Sequence, residues 1–163
     1  MDFQTYFVRR RARDTVLGIT FYGAQRSRPA PGLLRAIRQA AGIIICPSNP
    51  IISIGPILAV PGIREALRKS AAPVAAISPI VGGRALKGPA ARMMKSLGMR
   101  VSALGVAEVY RDLVDVFILD HVDASQAAKV EALGIRPIVT DTIMTSMAKK
   151  KSLGRVVAGS LRL

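Results

Sequence analysis

The chain has 163 residues, of which 50% are hydrophobic and 21% are charged, and its formal net charge is +14. This composition excludes a disordered chain, and one cysteine and one histidine exclude an internal disulfide and metal sites built on cysteine or imidazole clusters. The longest apolar runs, at residues 43–46 and 50–60, are far shorter than the roughly 20 residues of a membrane span, and no secretory signal is visible, so we expect one soluble, cytoplasmic domain over residues 1–163.

Short apolar runs alternate with amphipathic stretches along the chain. The runs predict strands at residues 16–22, 43–46, 73–78, 100–103, 116–119 and 136–140. The amphipathic stretches predict helices at 31–39, 61–69, 89–97, 106–113, 125–133 and from residue 144 onward. Strands that are apolar throughout are typical of a parallel sheet buried on both faces. We therefore predict an α/β fold, an open, mainly parallel sheet with helices on both faces.

Two long loops follow predicted strands, at residues 46–56 and 78–89. An open parallel sheet binds ligands outside the carboxyl ends of its strands. Prolines stiffen both loops, and glycines let backbone N–H groups approach a ligand closely. Two ordinary strand-to-helix turns are the alternative, and neither loop contains the GxxxxGK[ST] motif. Because hydroxyls, amides, N–H groups and cations are what a phosphate or diphosphate requires, the predicted binding residues are Ser48, Asn49, Ser53, Gly82, Gly83, Arg84 and Lys87.

A third, acidic loop follows the strand predicted at 116–119. Asp120 is a candidate ligand for Mg²⁺ or a ribose, since that ion prefers hard oxygen ligands. Asp123 is equally a candidate, but we favour it as the cap of the next helix, and Asp141 or Thr142 as the cap of the last one. His121 has no serine or cysteine partner at a telling spacing, so we do not expect it to be catalytic.

The positive charge is unevenly distributed. Residues 1–100 carry 16 basic and three acidic side chains, residues 101–145 carry three and seven, and residues 146–163 carry five and none. Clustered cations favour an anionic partner, either a phosphorylated metabolite or a nucleic acid. A nucleic-acid module is disfavoured because three tyrosines and four phenylalanines provide no stacking platform among the arginines. We expect residues 9–13 to form a solvated face, residues 149–151 an exposed turn, and Cys46 to be buried.

Two long strings resemble one family. PSNPIISIGPILAVPGIREAL at residues 47–67 and SPIVGGRALKGPAARMMKSLG at 78–98 resemble the 2-phospho-L-lactate transferase family of coenzyme F420 biosynthesis. The similarity extends back to FQTYFVRRRA at residues 3–12 and forward through GVAEVYRDLVDVFILDHVD and PIVTDTIM, so it covers nearly the whole chain.

The resemblance implies a transferase that acts on FO, the 7,8-didemethyl-8-hydroxy-5-deazariboflavin chromophore. A ribityl hydroxyl of FO would attack the phosphorus of a GDP-linked three-carbon acid, of the 2-phospho-L-lactate or phosphoenolpyruvate type, and GMP would leave with the assistance of Mg²⁺. In this interpretation Ser48, Asn49 and Ser53 cradle phosphate oxygens, and Arg84 and Lys87 offset negative charge on the donor or on GMP. No catalytic residue is assigned.

The resemblance covers only the C-terminal half of the family pattern. The family begins with a nucleotide-fold half that contains a glycine-rich turn and the residues implicated in FO binding, so those residues have no positions here. We expect the open sheet edge to pair with that half or with a second copy, as a homo-oligomer, and the isolated chain to be inactive. The alternative is a non-enzymatic regulator of the same superfamily that binds nucleotide sugars.

Overall fold

Four parallel strands form the central sheet of the computed structural model, which describes residues 1–162. The sheet has the order β1-β2-β5-β6, and a separate antiparallel hairpin is formed by β3 and β4. The six strands are β1 (Ile43–Ile45), β2 (Val74–Ile77), β3 (Ile80–Val81), β4 (Arg84–Ala85), β5 (Val116–Asp120) and β6 (Arg136–Thr140).

Seven α-helices connect and cover these strands within the described residues. They are α1 (Leu33–Gln39), α2 (Gly55–Ala59), α3 (Ile63–Arg68), α4 (Ala90–Ser96), α5 (Ala103–Val109), α6 (Ala127–Glu131) and α7 (Met147–Ser160). Short π-helical turns occupy Thr5–Arg9 and Pro50–Ile54, and 3₁₀ turns occupy Ala24–Arg26 and His121–Gln126. No helix in this part of the chain combines the length and the apolar composition needed to cross a bilayer.

The sheet is buried on both faces, and successive residues of β2 show this directly. Val74 and Ala76 belong to the main core, which helices α1 and α3–α6 supply. Ala75 and Ile77 belong to a second cluster, which is closed by Leu153 and Val157 of α7 and by Leu161 directly after it. Because side chains alternate between the faces of a strand, a strand with helices on both sides must be apolar at every position. The predicted α/β class, with a parallel sheet and helices on both faces, is confirmed.

Two predicted strands are wrong. Residues 16–22 form no strand, because Val16 and Ile19 pack instead on a small cluster with Tyr6 and Met93. Residues 100–103 form no strand either, because the Ser102 hydroxyl accepts a hydrogen bond from the Gly105 N–H at 3.0 Å and starts α5 at Ala103.

The closing helix also differs in detail from its prediction. It begins at Met147, where the Ser146 hydroxyl caps the N–H of Lys149 at 3.2 Å. Asp141 and Thr142 are therefore not its cap, and that prediction is wrong. Residues 149–151 are exposed as predicted, but they lie in the first turns of α7 and not in a turn outside a helix.

Candidate functional site

The carboxyl ends of the four parallel strands lie at one edge of the sheet, and each is followed by a polar or reactive residue. Cys46 follows β1, Ser78 follows β2, His121 follows β5 and Asp141 follows β6. Cys46 is exposed and not buried as predicted, because β1 ends at Ile45 and the chain leaves the sheet there. The three loops singled out in the sequence therefore do lie along one edge.

The first loop is organised by Asn49. Its side-chain oxygen accepts hydrogen bonds from the N–H groups of Ile51 at 2.9 Å and Ile52 at 3.3 Å, so it caps the π-helical turn Pro50–Ile54. The Asn49 carbonyl accepts from the N–H of Ser53 at 3.1 Å. Three groups of this loop remain for a ligand: the Asn49 side-chain N–H₂ group, which faces the Met93 sulfur at 3.8 Å, the half-buried side chain of Ser48 and the exposed side chain of Ser53.

The turn after Asn49 leads directly into α2 through Gly55. A Cβ atom at Gly55 would stand 2.9 Å from the ring of Phe21 and 3.2 Å from the carbonyl oxygen of Pro50. A side chain at this position would therefore require the ring of Phe21 to shift away from the loop. The sequence showed a rigid loop at 46–56, whereas the structure fills most of it with a capped turn and a short helix.

The second loop contains the β3–β4 hairpin. Gly82 and Gly83 form its two-residue turn with φ of +56° and +73°, a backbone conformation that glycine adopts without strain. Arg84 follows the turn, and Lys87 follows the hairpin; both are exposed. Neither forms an ion pair within residues 1–162, so both cations are available to an anionic ligand.

A buried carboxylate fixes the hairpin turn. Asp123 is 3% exposed and accepts hydrogen bonds from the Gly82 N–H at 3.0 Å and from the Gln126 side-chain nitrogen at 2.7 Å. The Gln126 oxygen in turn accepts from the N–H of Leu104 at the start of α5, at 2.9 Å. The prediction that Asp123 caps the following helix is wrong, because its carboxylate crosses to another loop.

Asp120, and not Asp123, caps the 3₁₀ turn His121–Gln126. One carboxylate oxygen accepts from the Val122 N–H at 3.1 Å, and the other accepts from the N–H and hydroxyl of Thr142 at 2.8 and 2.9 Å. Burial raises the pKa of Asp120, but these hydrogen bonds from Thr142 and Val122 together lower it below its usual range. The charged carboxylate thus ties the end of β5 to the segment after β6.

The hydrogen bonds of Asp120 decide whether its carboxylate can bind Mg²⁺. With the side chain 4% exposed and three hydrogen bonds on its two oxygens, Asp120 does not fit a Mg²⁺ ligand in this arrangement. Residues 1–162 contain no group of three or more histidine, cysteine, aspartate or glutamate side chains that could hold a metal ion.

The predicted phosphate-binding residues share an edge but not a common hollow. The Asn49 loop contacts α4, which directly follows the second loop, so the loops after β1 and β2 are neighbours. Yet five hollows on the described part of the chain are all lined by other residues. One of them adjoins the first loop, since Ile52 and Met93 line it.

Sequence reasoning missed two features of this region. The Gly82-Gly83 pair, which directly follows the apolar residues Ile80 and Val81, is a hairpin signal that could have predicted β3 and β4. Asp123 and Gln126 form a three-residue-spaced polar pair, but nothing in the sequence shows that their partners are Gly82 and Leu104, because those contacts join segments far apart in the chain.

The fold and this edge define a class of protein: an α/β protein whose candidate ligand site is built from glycine-containing and polar turns at the carboxyl edge of a parallel sheet. Solved structures of a Bacillus halodurans protein, BH3568, show the same fold. One has a TM-score of 0.57 and 18% identity over 80% of this chain and 47% of its own. Another, described as a member of the UPF0052 family, has a TM-score of 0.53 and 22% identity.

Sequence comparison gives the family. The family model described as 2-phospho-L-lactate transferase CofD matches residues 2–159, and the chain belongs to that family. It is 39% identical over 159 residues to the 2-phospho-L-lactate transferase of Methanosarcina barkeri, covering 98% of this chain and 51% of the relative. It is 42% identical over 156 residues to the phosphoenolpyruvate transferase of Streptomyces griseus, covering 95% and 49%. The chain spans about half the length of these relatives.

Proposed function

We propose that this chain is part of a transferase that moves a phosphorylated three-carbon acid from a GDP-linked donor to the ribityl hydroxyl of FO in coenzyme F420 biosynthesis. The observation that carries the proposal is the family membership over residues 2–159. Relatives at similar identity are named for two different three-carbon acids, 2-phospho-L-lactate and phosphoenolpyruvate. The proposal therefore covers both types of donor.

In this reaction the protein itself needs to form no covalent bond to the substrates. The FO hydroxyl oxygen forms a bond to the phosphorus that carries the three-carbon acid, the bond from that phosphorus to the bridging oxygen of GMP breaks, and the hydroxyl proton is released. Negative charge grows on the departing GMP. Catalysis of such a step depends mainly on positioning and on neutralising charge, which suits exposed cations and backbone N–H groups on stiff turns.

Each loop has a role in this proposal. Arg84 and Lys87, which have no ion-pair partner among residues 1–162, offset the charge of the diphosphate and of GMP. Gly83 offers its backbone N–H group to the phosphate, whereas the Gly82 N–H group is already bonded to Asp123. On the first loop, Ser48 and Ser53 offer hydroxyls, while Asn49 shapes the turn and offers its N–H₂ group.

A partner is part of the proposal. In the described chain β1 is an edge strand, and Ile44 at its centre is 44% exposed. An exposed apolar edge strand is a template for pairing with another chain. We propose that polypeptide equivalent to the other half of the relatives, or a second copy of this chain, covers this edge, and that the complete enzyme lies in the cytoplasm.

Nucleotide binding tests the proposal. Titration of the chain with GDP in a calorimeter should show saturable binding, which Lys87→Ala or Arg84→Ala weakens by about tenfold because a charge-assisted hydrogen bond is lost. Lys150→Ala, another exposed lysine but on α7, is the matched control and should leave the affinity unchanged. Equal affinity of all four proteins for GDP would refute the assignment of these cations.

The same titration separates the alternatives. Tighter binding of UDP-sugars than of GDP would favour a nucleotide-sugar-binding regulator. Binding to duplex or single-stranded DNA that falls steeply with salt would favour a nucleic-acid module. Neither alternative has an observation in its favour beyond the charge of +14, which suits any anionic ligand.

A further inference from the structure

The part of the chain around α1 and β1 carries positive charge and no acid of its own. Residues 15–64 contain five arginines and no lysine, aspartate or glutamate. The last of these arginines, Arg64 on α3, shares the carboxylate of Asp112 with Arg68. The other four form no ion pair within residues 1–162. Their charge is therefore left for a ligand or an ion from solution to neutralise.

Three of these four arginines line one hollow of about 530 Å³, the arginine hollow. They are Arg28, which precedes α1, and Arg35 and Arg38, which lie on α1. All three residues are exposed, and the rest of the lining, residues 29–32 and Leu34, includes no carboxylate. The volume lies in the range of about 300–1,000 Å³ that is usual for small-molecule sites.

Helix α1 presents two of the arginines from a fixed position. Ile37 is 8% exposed and lies in the main core, so one face of the helix is anchored there. Arg35 and Arg38 lie outside that face and are three positions apart, a spacing that makes two side chains neighbours on a helix surface. Two prolines within residues 29–31 restrict the backbone of the turn before the helix. The backbone positions of Arg28, Arg35 and Arg38 are therefore set without a ligand.

The chemistry of the arginine hollow suits an anion with more than one charge. Guanidinium groups donate hydrogen bonds in a planar fork that matches the oxygens of phosphate and carboxylate. Positive charges gathered at one hollow repel one another, and a bound anion offsets that repulsion. Since a phosphate monoester carries a charge of about −1.5 to −2 at pH 7, three arginines match a ligand with two phosphate groups better than one with a single carboxylate. The prolines and Leu34 add an apolar rim that can contact an organic group.

We propose that the arginine hollow binds the diphosphate group of a small ligand, either inorganic diphosphate or a nucleoside diphosphate. None of its lining residues belongs to the loops at 46–56 and 78–89, so the hollow is a second anion site on this chain. The inference does not depend on the proposed transfer reaction. It gives a role to arginines that the sequence analysis counted only as charge.

The test is an NMR titration of the full chain with inorganic diphosphate, because backbone amide signals locate the bound ion as well as reporting its affinity. We expect saturable shifts for the amides of residues 32–38. Arg35→Gln and Arg38→Gln should each weaken this binding by about tenfold, since each removes a charge-assisted hydrogen bond. Arg35→Lys, which keeps the charge and loses the fork, should weaken it by less than Arg35→Gln does.

Two control variants separate the arginine hollow from other sources of positive charge. Arg155→Gln removes the same charge from an exposed arginine on α7 that forms no ion pair within residues 1–162, and it should leave the affinity at residues 32–38 unchanged. Arg84→Ala, on the hairpin, should also leave it unchanged. A parallel titration with ADP distinguishes the two sources of diphosphate: tighter binding of ADP at these amides indicates a nucleotide, and tighter binding of inorganic diphosphate indicates the free ion.

Three results would overturn the inference. The first is the absence of saturable shifts at residues 32–38 with either ligand. The second is an equal loss of affinity in Arg35→Gln and Arg155→Gln, which would show only diffuse attraction to a chain of charge +14. The third is single-stranded RNA that binds through Arg35 and Arg38 while neither small ligand does, which would show an extended surface for a polyanion. Because the substituted arginines are exposed, all variants should keep the wild-type urea midpoint to within a few tenths of a molar, which shows that each is folded.

Discussion

The carboxylate of Asp123 accepts a hydrogen bond from the backbone N–H of Gly82 at 3.0 Å, across 41 positions of the sequence. This bond ties the tip of the β3–β4 hairpin to the turn after β5, and Gln126 continues the connection to Leu104 on α5. The position of Arg84, which follows the turn, therefore depends on a carboxylate in a different loop.

Asp123→Asn should destabilise the protein and loosen the hairpin. Both partners of Asp123 are donors, whereas an asparagine offers one acceptor oxygen and turns an N–H₂ group towards the other donor. Leaving one buried donor unpaired should lower the free energy of unfolding by about 1–3 kcal/mol, measured by urea denaturation. Glu131→Gln, at an exposed acid, is the control and should change it little. Equal urea midpoints for Asp123→Asn and the wild type would contradict this role.

The pair of Asp120 and Thr142 predicts a dependence of stability on pH. Because the pKa of Asp120 is lowered in the folded protein, its contribution is fully present above the unfolded value of about 4 and is lost as the pH falls through the folded value. Asp120→Asn should therefore be less stable than the wild type at pH 7, and the difference should shrink towards pH 3. A difference that is the same at both pH values, measured from urea midpoints, would show that the charge of Asp120 is not involved.

The hairpin turn should reject a Cβ atom at Gly83. With φ of +73°, Gly83→Ala places an alanine in the left-handed region and should cost about 1–2 kcal/mol of unfolding free energy. Gly154→Ala is the opposite case, because Gly154 lies within α7 and its Cβ would meet nothing within 4 Å. Since alanine is the better helix former, that change should stabilise the protein by about 0.5–1 kcal/mol. Thermal unfolding distinguishes the two variants, because Gly83→Ala should lower the melting temperature and Gly154→Ala should raise it. Shifts of the same sign would contradict a left-handed backbone at Gly83.

The sheet could be predicted from the sequence because β1 and β2 are apolar throughout and β5 is apolar up to Asp120. Residues 43–46, 73–78, 116–119 and 136–140 each appear as strands within two residues of their predicted bounds. The run at 16–22 has a similar composition, but Val16 and Ile19 pack on a local cluster around Tyr6, and Leu17 and Tyr22 are exposed. Composition alone does not tell a strand from an apolar segment that packs without a partner strand.

The site was predictable only in outline. The rule for parallel sheets located the loops, and the structure confirms that they share an edge. The rule could not show that the side-chain oxygen of Asn49 accepts hydrogen bonds from its own loop. Nor could it show that Asp120 and Asp123 accept hydrogen bonds from backbone groups of other segments. These bonds depend on tertiary approach, which the sequence pattern does not record. Whether the predicted residues bind phosphate stays a prediction.

The free edge of β1 leads to the last prediction. Three isoleucines form this strand, β2 pairs with only one side of it, and Ile44 is 44% exposed. We expect the purified chain to self-associate through this edge, and to show no turnover with FO, a GDP-linked donor and Mg²⁺ until the edge is covered by its proper partner. Ile44→Lys should shift sedimentation velocity profiles towards monomer, since a charge on an edge strand opposes pairing. Ile57→Lys, at a 51% exposed residue on α2, should not. A wild-type chain that is monomeric at tens of micromolar, or that turns over substrate alone, would show that β1 needs no partner.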